Sequence, residues 1–252
     1  MKMYLFVAAL LAVSVVAGPA CAGTIFSDDF ESGVRGSIWE AMPGNTYYTI
    51  LDGDTGGHAK GTKSAKQVNA DPAIYYMRTK SGAFTSPGLL TTGQKEVLTT
   101  WMWDDNVQAT GVMAGVMLAT FASGDFFQIS VNTGTLYSQT NYCWRTQKDG
   151  TFVSSIARSQ GWHKLQIEVN PYTGNAGDVK FYIDGALASG TGKRMGDFAL
   201  DSVRLGISVK TPGSPFWYDD VNLTVVPEPA SVLGLLTGLI GLAGIAKRRF
   251  TG

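Results

Sequence analysis

Gly161-Trp162-His163-Lys164-Leu165-Gln166-Ile167-Glu168-Val169, followed after a turn by Val179-Lys180-Phe181-Tyr182-Ile183-Asp184-Gly185, decides the fold class. Leu165, Ile167 and Val169 alternate with Lys164, Gln166 and Glu168, and Val179, Phe181 and Ile183 with Lys180, Tyr182 and Asp184. A two-residue period puts one set of side chains on a core and the other toward solvent, the mark of a half-buried antiparallel strand. Asn170 to Gly177 and Asp184-Gly185 supply turns.

Outward from this hairpin the pattern recurs. Val203, Leu205, Ile207 and Val209 alternate with polar or charged residues, and Asn132-Thr133-Gly134, Lys148-Asp149-Gly150 and Pro212-Gly213 mark further turns. The stretches 97–103 and 112–121 are apolar at both parities, which predicts central strands covered on both sides. About a dozen strands without helical periodicity predict an all-β, two-sheet antiparallel sandwich over 23–225. Between those bounds 16 Lys and Arg stand against 19 Asp and Glu, a net formal charge of −3. With no basic stripe, nucleic acid is not an expected partner.

The two ends read as an address. Lys2, then an apolar run through residue 17 broken only by Ser14, then Gly18-Pro19 and the small-x-small site Ala20-Cys21-Ala22, form a secretory signal peptide over 1–22. Cys21 as a lipidated residue is the alternative, but Gly18 stands where a lipoprotein carries Leu. Cleavage leaves Cys143 as the one thiol, so no internal disulfide is expected. At the other end, over 226–252, Pro227-Glu228-Pro229 precedes an uncharged run at about 230–246, closed by the basic stop Lys247-Arg248-Arg249. As a helix that run rises about 25 Å, just under a hydrocarbon core. The basic cluster should stay cytoplasmic, leaving the β domain outside.

Two resemblances follow. The order Pro-Glu-Pro, short hydrophobic helix, basic end resembles the PEP-CTERM sorting signal. It implies processing by a membrane-embedded exosortase near Pro227-Glu228-Pro229, a membrane-anchored intermediate, and delivery to the cell envelope or extracellular matrix, often beside exopolysaccharide production. The hairpin 161–185, the opening Phe26-Ser27-Asp28-Asp29-Phe30-Glu31-Ser32-Gly33 and the closing Phe216-Trp217-Tyr218-Asp219-Asp220-Val221 resemble concanavalin A-like and laminin-G-like jelly rolls. In that fold the first and last strands run side by side.

Such pairing would bring Asp28, Asp29, Asp219 and Asp220 together, and carboxylates so packed call for a hard cation, here structural Ca²⁺. The Gly-rich loop 52–58 begins like a calcium loop but lacks the later acidic ligand. For sugar stacking, Trp101 and Trp103 share a parity next to Asp104-Asp105-Asn106, and Tyr142 and Trp144 lie in a polar stretch that predicts exposure. Trp217 is read as sharing a face with Val221 and Leu223.

No catalytic set is recognised. The Glu-x-Asp-x-x-Glu strand of laminarinase-like relatives is absent, and Ser130 follows Gln128-Ile129 where jelly-roll lyases carry His. The expectation is a non-enzymatic surface protein, glycan-binding or adhesive. A divergent polysaccharide lyase or hydrolase and a purely structural envelope protein are the alternatives.

Overall fold

The computed structural model describes residues 22–33, 37–41, 48–52, 58–67, 77–84, 90–108, 111, 113–121, 124–134, 137–206 and 216–227. The segments carrying Ala20 and Cys21, Glu228 and Pro229, the run 230–246 and Lys247-Arg248-Arg249 lie outside them. Ala22 is exposed immediately before the first strand.

Fifteen strands and no helix occur among the described residues. They are β1 (Gly23–Asp28), β2 (Trp39–Ala41), β3 (Tyr48–Asp52), β4 (Lys63–Gln67), β5 (Met77–Thr79), β6 (Gln94–Asp104), β7 (Met113–Ala119), β8 (Phe126–Asn132), β9 (Ser138–Thr146), β10 (Gly150–Ala157), β11 (Gly161–Val169), β12 (Val179–Ile183), β13 (Ala186–Leu187), β14 (Ser202–Leu205) and β15 (Phe216–Pro227). All pairings are antiparallel. Sheet A runs β13-β12-β11-β6-β15-β4-β3, with β1 also on β15, and sheet B runs β10-β9-β8-β7-β14-β5-β2. The chain is therefore an all-β, two-sheet sandwich, and its first and last strands are neighbours, with Gly23 opposite Val225 and Asp28 opposite Val221.

The hairpin quoted first is β11–β12, with Ile167 opposite Phe181. Leu165, Ile167, Val169, Val179 and Phe181 are buried against sheet B, where Phe127, Ile129, Val131, Val116 and Leu118 face them. Each such side chain contributes roughly 1.5–3 kcal/mol relative to exposure. Two polar arrangements border this core, the first of them fully buried. Arg158 donates twice to Asp104, at 2.7 and 2.9 Å, both side chains being buried. The His163 ring contacts Asp184 Oδ2 at 2.7 Å through Nδ1 and Ser159 O at 2.9 Å through Nε2.

Two readings of the strands change, and a third lies partly outside the described residues. β7 is covered on both faces as expected, but β6 is not: Glu96, Leu98, Thr100, Met102 and Asp104 are buried, whereas Val97, Thr99, Trp101 and Trp103 are half-buried on the outside of sheet A. Strand β14 ends at Leu205, and 207–209 lie outside the described residues. Trp217 does not share a face with Leu223. The register against β6 shifts between Asp219 and Asn222, so Trp217 pairs with Trp103 on the outer face while Leu223 pairs with Leu98 in the core. Asp220, at φ +48°, takes up the extra residue of this bulge.

Candidate functional site

The bulge in β15 builds a pocket of about 450 Å³ on the outer face of sheet A, within the range of small-ligand sites. Asn222 forms its floor, between Ser27 of β1 and Thr99 of β6. Lys164 and its cross-strand partner Trp101 form one wall, and Asp28, Asp29 and Asp220 the rest. Asn222 Oδ1 is buried without a hydrogen-bond partner. An orphaned acceptor in a pocket wall is satisfied by a ligand that brings an O–H or N–H.

The fold thus joins two sets of residues that the sequence offered separately, the acidic pairs and the Trp101 face. The carboxylates are also engaged by the chain's own donors. Asp28 accepts from Phe30 N at 2.8 Å and from Trp39 Nε1 at 2.6 Å, and Asp29 Oδ1 accepts from Glu31 N at 3.1 Å. Asp219 does not line the pocket; it accepts from Lys60 N at 2.9 Å and Asp220 N at 2.8 Å. Burial is the main cause that lifts its pKa to about 6, backbone N–H groups opposing and Asp220 adding to the rise. Among the described residues no three His, Cys, Asp or Glu converge on a point where a metal ion could sit.

The segment 58–62 lies over the tryptophans. His58 stacks on Trp103 with ring centroids 3.7 Å apart and meets Trp217 edge-on, while Lys60 Nζ sits 3.3 Å from the Trp101 ring centroid. Glu31 anchors the segment by accepting from Thr62 N at 2.8 Å, from the Thr62 hydroxyl and from Lys63 N. These bonds hold its carboxyl below the ordinary glutamate range, the Thr62 hydroxyl most of all. One face of Trp101 therefore carries a cation already. Trp103 is fixed by Trp162, edge-on at 5.9 Å, and by its indole N–H to Asp105 at 2.5 Å. Asp104, expected beside the tryptophans, faces the core and Arg158 instead.

Tyr142 and Trp144 are not exposed. They are 0% and 3% accessible and point between the sheets. Trp144 stacks on Phe181 and Phe152 and donates to Ser189 O at 2.8 Å; Tyr142 meets His163. Residues 138–141 are polar because they are exposed or half-buried, and from 142 onward alternate residues of β9 turn inward. Cys143, on the other face of β9, is buried, which raises its thiol pKa. Sequence reasoning missed Asn222, Lys164 and Lys60. Only the side-by-side arrangement of β1, β15, β6 and β11 makes them neighbours.

No protein-family model matches the chain, and no curated protein matches it. Solved structures do. A cellulose induced protein, Cip1, is 17% identical, with 79% of this chain and 96% of that chain covered and a TM-score of 0.52. A carbohydrate esterase from the Shiga toxin-encoding bacteriophage phi24B is 15% identical, covering 82% and 100%, with a TM-score of 0.54. Domain 4 of AbnA, an extracellular arabinanase from Geobacillus stearothermophilus seen in complex with arabinotriose, is 17% identical, covering 83% and 96%, with a TM-score of 0.50. At such identities the likeness establishes the fold.

Proposed function

We propose that this chain is an exported, non-catalytic surface or matrix protein that binds glycan in the Trp101–Asn222 pocket. The observation that carries the binding is Asn222 Oδ1, a buried acceptor without a partner, in a pocket that also offers an indole, three carboxylates and an ammonium group. Sugars present apolar C–H faces ringed by hydroxyls, and that lining matches both halves: Trp101 for the face, Asn222, Asp29, Asp220 and Lys164 for the hydroxyls. Two of the solved neighbours support the sugar part of this reading alone, a carbohydrate esterase and a domain in complex with arabinotriose. The address rests on sequence alone. A signal peptide, a transient C-terminal helix and exosortase processing near Pro227-Glu228-Pro229 would carry the sandwich to the envelope or the extracellular polysaccharide.

The test is calorimetric titration of the full chain in detergent with arabinotriose and cello-oligosaccharides, backed by a glycan array. Trp101→Ala and Asn222→Ala each weaken binding about tenfold or more. Lys60→Ala, which clears one face of Trp101, strengthens it. Indifference of binding to all three variants overturns the site. Release of reducing ends, unsaturated products or acetate overturns the non-catalytic reading.

A further inference from the structure

The pocket on the outer face of sheet A is lopsided in its chemistry. Asn222 Oδ1 is a buried acceptor without a partner, and the walls add the carboxylates of Asp28, Asp29 and Asp220. Ser27 and Thr99 bring hydroxyls, which donate or accept, and Lys164 is the one cation among the lining residues. Three carboxylates and an orphaned amide oxygen thus stand against a single ammonium group. The domain's net charge of −3 adds to the same field.

The carboxylates are not equivalent. Asp28 has both oxygens taken, by Phe30 N and by Trp39 Nε1. Asp29 is exposed and gives only Oδ1, to Glu31 N, and Asp220 is exposed on the bulge. Among the described residues neither Asp29 nor Asp220 forms an ion pair. The Trp101 ring shows what it will take: Lys60 Nζ, an ammonium group of the chain itself, sits 3.3 Å from its centroid. One wall of the pocket therefore already hosts the kind of charge that its carboxylates call for. Those carboxylates line the pocket beside an indole, and among the described residues no three acidic, His or Cys groups converge on a point. That spread favours an organic cation with an apolar face over a bare ion.

Given a glycan in this pocket, as proposed above, we propose that its sugar carries a free amino group, as in a de-N-acetylated hexosamine polymer. The ammonium donates to Asn222 Oδ1 and lies against Asp29 and Asp220, while a C–H face of the ring covers Trp101. An ammonium has three donors and no acceptor, so it satisfies this wall more fully than a hydroxyl does. An acetyl group on the same nitrogen removes the charge and two of the donors. A uronate adds a further carboxylate to those already there and is repelled.

The test titrates the full chain in detergent with three β-1,4-linked trimers that differ only at the second carbon, those of glucosamine, N-acetylglucosamine and glucose, at a pH where the amines are protonated. The glucosamine trimer binds about tenfold more tightly than cellotriose at low salt, and added salt shrinks that advantage; the N-acetylated trimer has none. Asp29→Asn combined with Asp220→Asn brings the glucosamine trimer level with cellotriose. Both substitutions keep the local backbone, because Asn supplies the same Oδ1 acceptor at 29 and tolerates φ +48° at 220. Lys164→Gln, which removes the opposing charge and keeps a hydrogen-bonding group, widens the advantage several-fold, a gain that misfolding cannot imitate. Trilysine, with ammonium groups but no sugar face, binds more weakly than the glucosamine trimer. A glucosamine trimer that binds no tighter than cellotriose, an advantage that survives the double substitution, or trilysine binding as tight as that of the trimer overturns the proposal. Cellotriose binding that is lost in Asn222→Ala would then still uphold the glycan reading, whereas failure of every glycan to bind takes both down.

Discussion

At the scale of single residues, the inner layer holds a charge that the fold would rather keep protonated. Glu96 is 1% exposed and its Oε1 has no partner. Burial raises its pKa from 4.5 to about 8, the charge of Arg194 pulling it down and that of Asp201 pushing it up. The folded chain thus holds this proton more tightly than the unfolded one. Its contribution to stability is full below about pH 4.5 and is lost as the pH rises toward 8. Melting temperature should fall between pH 5 and pH 8, and Glu96→Gln should flatten that fall and raise the melting temperature at pH 8. A residual slope at lower pH belongs to Asp219 and Asp125, whose raised pKa values act in the same sense. An unchanged slope in Glu96→Gln would refute the assignment. The sequence hid this group, because Glu96 begins the apolar stretch of β6 and looks like an exposed strand end. Only the core parity of Leu98, Thr100 and Met102 shows that it turns inward.

At the scale of elements, strands with clean alternation were legible and strands interrupted by a bulge were not. The hairpin β11–β12 alternates as predicted except at Glu168, which was expected in solvent and is instead buried beside Lys95. Trp217 was misplaced because the extra residue at Asp219–Asp220 inverts parity halfway along β15, and period counting carries no warning of a bulge. The candidate site suffered most, since its residues come from four strands and only the Asp and Trp types stood out in the sequence. Contact between β7 and β8 also depends on a residue that composition does not single out. A Cβ on Gly115 would lie 2.2 Å from Ile129 O and 2.6 Å from Ser130 Cα, in the backbone of the paired strand. Gly115→Ala should cost at least the about 1–3 kcal/mol of ordinary overpacking, read as a fall in melting temperature. Gly23→Ala, with nothing within 4 Å, should leave it unchanged. Equal melting temperatures for the two variants would refute the close approach.

At the scale of the whole molecule, the sandwich was readable from its turns and periods, while the candidate site was not. It needs the order of strands across a sheet, and a single chain does not spell that order out. The proposed address is the reverse case: it would be written in short linear segments and would owe nothing to packing. Mass spectrometry of the protein secreted by a host that carries an exosortase should find a chain starting at Gly23 and ending near Pro229. A secreted or membrane-bound chain that still carries 230–252 would refute that processing.

Strand β15 supplies the floor of the pocket at Asn222 and then runs to Pro227, flanked by β1 on one side and β6 on the other. If the chain is tethered through its C-terminal end and gripped at the pocket, tension passes along a few residues of one strand and bypasses the rest of the sandwich. Two flanking ladders then carry that pull in shear, many bonds at once, so a tug on the glycan would not have to peel the domain open.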